Sequence, residues 1–257
     1  MVIERMDLLL NDSFAPITSS MGFIEGECSI VAKKFIEWQE EIKKSGSYIK
    51  EITAHTVTGR LEQTIQSLLP LKMVQSTRHL FIPTAGRWTA LLDNGYRGTD
   101  PAAISYLPEL LHSRSVWVVA IPHTLQPIGT PWRGRQGALI MEVYGHEERE
   151  WLNLIRQVRL ENNAGKWEFH QSGEPFSFEE TERYQYKRLQ DRFDFDMLKR
   201  YLKVLGLSPF EEDFYLPSND RDAVLVKINT KHPMRNKDVT LEEARRLNGI
   251  EDNFIFH

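Results

Sequence analysis

The sequence predicts an α+β protein, a mixed, largely antiparallel sheet with packed helices and a long C-terminal helical segment. Three observations carry that expectation. Short runs of β-branched and aromatic residues recur at 79–83, 87–93, 115–121, 138–144, 154–160 and 166–171. Glycine-bearing loops separate several of them at hairpin distance, as Thr84-Ala85-Gly86 and Asn162 to Gly165 do. Apolar residues return at helical intervals in 27–44, 101–113 and 177–205.

Residues 1–26 show no clean period, and 11–20, rich in Ser, Thr, Asn and Pro, read as loop. In 27–44, Cys28, Val31, Ala32, Phe35, Trp38 and Ile42 fall on one side of a helix with Lys and Glu opposite. Residues 48–57 alternate in places and suit a strand. A second helix is expected from Thr58 or Gly59 to about Leu69. The stretch from Arg78 to Asp100 organises the chain: two strands about a short loop, the turn dipeptide Asn94-Gly95, then Asp100-Pro101. Asp at the N-cap followed by Pro is a helix start, because Pro lacks only a donor that the first turn leaves unpaired. Pro108 should shorten, kink or divide the helix that follows.

Ser115–Ile121, SVWVVAI, is apolar on both alternations and reads as a strand buried on both faces. Residues 123–137 form a long loop. Residues 177–205 should be helical, opened by Ser177 and Glu180 as a capping box, closed by Gly206, and divided, if anywhere, at Asp194-Phe195-Asp196. A strand over 223–229 and a helix over 240–247, with Thr240 and Glu243 as a second capping box and Asn248-Gly249 as its stop, complete the chain. One large domain over residues 1–257 is expected, with a sub-boundary near 171–177.

Composition limits the function classes. The 257 residues carry 32 basic and 36 acidic side chains, a formal charge of −4, which gives no global attraction to nucleic acid or anionic membrane. Cys28 is the one cysteine, so no internal disulfide and no Cys-based metal site can form, as suits a reducing cytoplasm. The Leu8-Leu9-Leu10 run is too short for a signal sequence, and no apolar window is long enough to span a bilayer.

The eight histidines show no ligand spacing, and no Gly-x-Ser-x-Gly or phosphate-loop motif occurs. No cofactor and no metal ligand set is therefore expected. Asp93 and Asp100 are the candidate catalytic residues, since two carboxylates across a turn can hold Mg²⁺ or act as acid and base. Their structural roles would be turn and cap. Tyr96 and Arg97 are candidate binding residues, the guanidinium standing beside a helix N-terminus. So are Trp132, Arg133 and Arg135, an aromatic with two arginines in the long loop, the composition of an interface anchor. The expected function is recognition of a protein, the acidic balance suiting a basic one, by an immunity-, inhibitor- or adaptor-type module of bacterial character. The competing expectation is metal-assisted hydrolysis or group transfer on a nucleotide-like or phosphorylated substrate, through Asp93, Arg97 and Asp100.

Overall fold

The computed structural model describes residues 6–125, 134–147, 152–215, 222–231 and 236–250. In chain order the elements are β1 (Ser20–Glu25), α1 (Cys28–Lys44), β2 (Ile49–Val57), α2 (Leu61–Gln66), β3 (Leu71–Lys72), β4 (Arg78–Pro83), β5 (Trp88–Asp93) and α3 (Pro101–Leu111). They continue as β6 (Ser115–Ile121), β7 (Ala138–Tyr144), β8 (Leu154–Asn163), β9 (Lys166–Ser172), α4 (Phe195–Val204), β10 (Ala223–Thr230), β11 (Asp238–Val239) and α5 (Leu241–Leu247). Nine strands form one sheet in the order β2-β10-β4-β5-β1-β6-β7-β8-β9, and β3 with β11 forms a small second one.

Every strand pair among the described residues is antiparallel, so the expectation of a mixed sheet is corrected. The reason lies in the connections. β4–β5, β6–β7, β7–β8 and β8–β9 join neighbours in space, whereas a parallel pair needs a crossover. Alternation along the strands sends side chains to two cores. Met21, Phe23, Leu80, Ile82, Leu92, Val116, Val118 and Met141 point to one face, where α2, α4 and the N-terminal turns cover them. Ile24, Phe81, Leu91 and Val226 point to the other, under α1 and α3.

The strand β1 lies in the middle of this sheet, although 11–20 reads as loop in the sequence. Ser20 and Gly22 dilute its apolar pattern. Gly22 is needed there, because a Cβ would stand 2.4 Å from Ile104 of α3. The expected helix over 177–205 is the larger correction. Its α-helix covers only Phe195–Val204, preceded by 3-10 turns at Thr181–Gln185 and Leu189–Asp191. Side chains satisfy the backbone of this stretch in place of a helical ladder. Glu179 accepts from Phe176 N–H at 3.0 Å, Tyr201 Oη accepts from Glu180 N–H at 2.6 Å, and Arg183 donates to the Asp191 carbonyl. The helix begins where Asp194 caps Met197 N–H at 2.8 Å and ends with Gly206 left-handed at φ 82°. Among the described residues no helix is long and apolar enough to cross a membrane.

Candidate functional site

The Asp93 corner is the place to test the expected catalytic pair. Asp93, the last residue of β5, is buried. Its Oδ1 accepts from Ser76 Oγ and from Gly95 N–H, both at 2.7 Å, and its Oδ2 accepts from Asp100 N–H at 3.1 Å. Burial outweighs these donors and pushes the carboxyl up to about 6. Asp100 is exposed, and its Oδ1 accepts from Ala102 N–H at 2.8 Å as the N-cap of α3. The two carboxylates are thus neighbours, joined through a backbone N–H. Both are engaged in building the corner.

The rest of the turn is equally committed. Asn94 accepts from the N–H groups of Thr77 and Arg78 at 2.8 and 2.9 Å and donates to Pro70 O at 2.9 Å. Gly98 holds φ 96°, and a Cβ there would stand 2.8 Å from Pro16 O. The Arg97 guanidinium lies 5.2 Å from the Tyr96 ring, while the Tyr96 carbonyl accepts from Asn248 Nδ2 at 2.7 Å. Only Arg97 presents its side chain outward from this group. The corner joins β5, α3 and α5; it is a structural joint.

Trp132 and Arg133 lie outside the described residues. Arg135 forms a largely buried ion pair, its Nη2 2.6 Å from Asp12 Oδ2. That bond fixes the end of the long loop against the N-terminal turns.

Next to those turns is a groove of about 580 Å³. One wall is the N-terminal segment with Asp7, Leu8, Leu10 and Asn11, and the other is the segment from Phe210 to Asp213. Leu10, Asn11 and Asp12 all hold positive φ near 50–60°, a costly run for side chains with a Cβ. It is held from outside. Arg245 Nη1 of α5 donates to the carbonyls of Asp12, Ser13 and Ala15 at 2.8, 3.2 and 3.3 Å, and Arg135 holds the Asp12 carboxylate.

The opposite wall is rigid for a different reason. Phe210 packs on Phe195 at 4.8 Å between ring centres, and Tyr215 Oη donates to Pro209 O at 2.8 Å. Ala85 N–H donates to Phe214 O at 2.8 Å, tying the segment to the sheet. Glu211, Glu212 and Asp213 therefore stand exposed on a fixed turn, with no ion pair among the described residues. Sequence reading missed this site. Its one signal was the Glu211-Glu212-Asp213 run after Ser208-Pro209, because the left-handed run opposite has no sequence signature.

A larger cleft of about 670 Å³ opens at the N-terminus of α1, beside Glu25, Glu27, Cys28, Thr84, Arg87 and Trp88. Several of its polar groups are occupied: Thr84 Oγ1 donates to Trp88 O at 2.6 Å, Trp88 Nε1 to Leu205 O at 3.0 Å, and Arg87 pairs with Glu25 at 3.2 Å. Burial pushes the Cys28 thiol up to about 12, which keeps it from acting as a thiolate nucleophile. No group of three or more His, Cys, Asp or Glu side chains among the described residues is arranged to hold a metal ion. No family model, curated protein or solved structure matches this chain.

Proposed function

We propose that this chain acts by recognising a basic protein partner through the groove between its N-terminal segment and residues 210–213, as an inhibitor or immunity protein would. The observation that carries the reading is the fixed row Glu211, Glu212 and Asp213 beside Asp7, over a floor of Leu8, Leu10 and Phe210. Carboxylates on a rigid turn attract Lys and Arg at long range and lose little side-chain freedom on contact. The apolar floor gives a place for the partner's aliphatic stems. A single buried, protonated cysteine suits a partner met in a reducing compartment. The opposing reading, chemistry at Asp93 and Asp100, gains no support from carboxylates already spent on Ser76, Gly95 and the start of α3.

The test is affinity capture from native lysate with the tagged full chain and with Glu211→Lys/Glu212→Lys/Asp213→Lys. The native chain should recover a partner with a basic surface, and recovery should fall with rising salt. The charge-reversed chain should recover none of it. Equal recovery by both chains would remove the groove from the reading.

A further inference from the structure

Among the described residues the sheet ends at β2, and that edge is self-complementary. Ile228 N–H donates to Thr77 O beside β4, so the even-numbered residues of β10 face β4 and Leu225, Lys227 and Asn229 face β2. Their partners His55, Thr53 and Glu51 spend their backbone groups on β10. By alternation, Ile52, Ala54 and Thr56 point their N–H and C=O groups outward from the sheet. Lys50, exposed, is the extra residue of a bulge where the register passes from Glu51 to Ile49, and it marks one end of the outward row. The row itself contains no proline and no charged residue.

We infer that two copies of this chain associate through β2, antiparallel about a twofold axis at Thr53, to form one continuous sheet. Centred on Thr53, Ile52 meets Ala54 of the second copy twice as hydrogen-bonded pairs, and the side-chain pairing selects this register. The same register sets Glu51 opposite His55 twice, on the face where both side chains are exposed. It also closes the exposed Ala54 against the half-buried Ile52. Thr53 faces its own symmetry copy as a non-hydrogen-bonded pair, with Cα atoms about 4.5 Å apart.

That last contact provides the test, because such a spacing accepts a disulfide. Thr53→Cys in the full chain, oxidised and run without reductant, should give a covalent dimer, whereas Glu51→Cys, which faces His55, should not. The native Cys28 is buried and adds no background. In sedimentation experiments the native chain should reach twice the monomer mass, and Ala54→Pro, which removes only an outward N–H, should return it to the monomer. Glu51→Lys/His55→Lys sets like charges opposite and should weaken the dimer at least about tenfold. Glu51→His/His55→Glu restores the pairing and should restore the dimer. A native chain that stays monomeric at every concentration, or a dimer indifferent to these changes, would overturn the inference.

Discussion

Arg156 of β8 and Glu179 are both fully buried and pinned to each other, and replacing either should be severe. Arg156 Nε and Nη2 donate to the Glu179 carboxylate at 2.9 and 2.6 Å. Its Nη1 donates to the Gln171 side chain and to the carbonyls of Ser172 and Gly173. Glu179 also accepts from Tyr184 Oη at 2.8 Å and Phe176 N–H at 3.0 Å. Arg156→Met leaves a carboxylate in the core with two weak donors, and Glu179→Leu leaves a guanidinium there with only neutral acceptors. Breaking a buried pair in this way costs about 3–5 kcal/mol. At a urea slope of about 2.5 kcal/mol per molar, either change lowers the midpoint by about 1.2–2 M. The double variant loses both charges together, so its cost should resemble that of one single variant, a coupling of about 3–5 kcal/mol. Urea unfolding followed by tryptophan fluorescence measures all four proteins. Additive costs, within about 0.5 kcal/mol, would refute the idea that the pair acts as one unit.

The other predictions concern the corner, the helix caps and the thiol. His79 is held down at about 4 by burial, so as pH falls from 6.5 to 4 the unfolded chain gains a proton that the folded one refuses, and stability drops. Asp93, held up at about 6, has the opposite sign: the folded chain gains its proton first between pH 6 and 3.8, and stability rises. Each effect is worth at most about 3 kcal/mol, so they nearly cancel. Thermal melts of Asp93→Asn should therefore fall steeply over that window and those of His79→Leu should rise, while identical profiles would rule the compensation out. Asp100→Ala should cost about 1 kcal/mol by uncapping α3, read from the urea midpoint, with no cost if Ala102 N–H finds water. Gly98→Ala, blocked by Pro16 O and Ser20, should cost more than Asp100→Ala; equal stability would show that the loop can give way. Cys28 should resist thiol reagents at pH 8 in the native chain and react promptly in denaturant; fast native labelling would contradict its burial.

Where local chemistry set the outcome, the sequence was legible. The caps Asp100 and Thr240, the α1 face and the two strands around Thr84–Gly86 lie where spacing and propensity place them. What escaped was decided at long range. β1 is a strand because β5 and β6 flank it, a fact absent from SMGFIE itself. Residues 177–193 carry apolar side chains at Tyr184, Leu189 and Phe193, steps of five and four that only approximate a helix. Arg156, contributed from the sheet, holds the Glu179 side chain, and Tyr201, from the following helix, takes the Glu180 N–H that a helical ladder would use. Asp93 and Asp100 are named from the sequence as catalytic candidates whose structural roles would be turn and cap; in the structure Asp93 accepts from Gly95 N–H in the turn and Asp100 caps α3. The groove wall at Leu10–Asp12 depends on a donor more than 230 positions away, which no local pattern reveals.

That dependence reaches beyond geometry. Because one arginine on α5 fastens three peptide oxygens of the opening segment, the wall is no firmer than the seating of a seven-residue helix. A lysine at 245, with a single ammonium in place of a planar fork, would leave some of those oxygens to water. Whatever loosens α5, whether a fused tag or a partner bound behind it, would be felt as a change of shape at Asn11, at the opposite extreme of the chain.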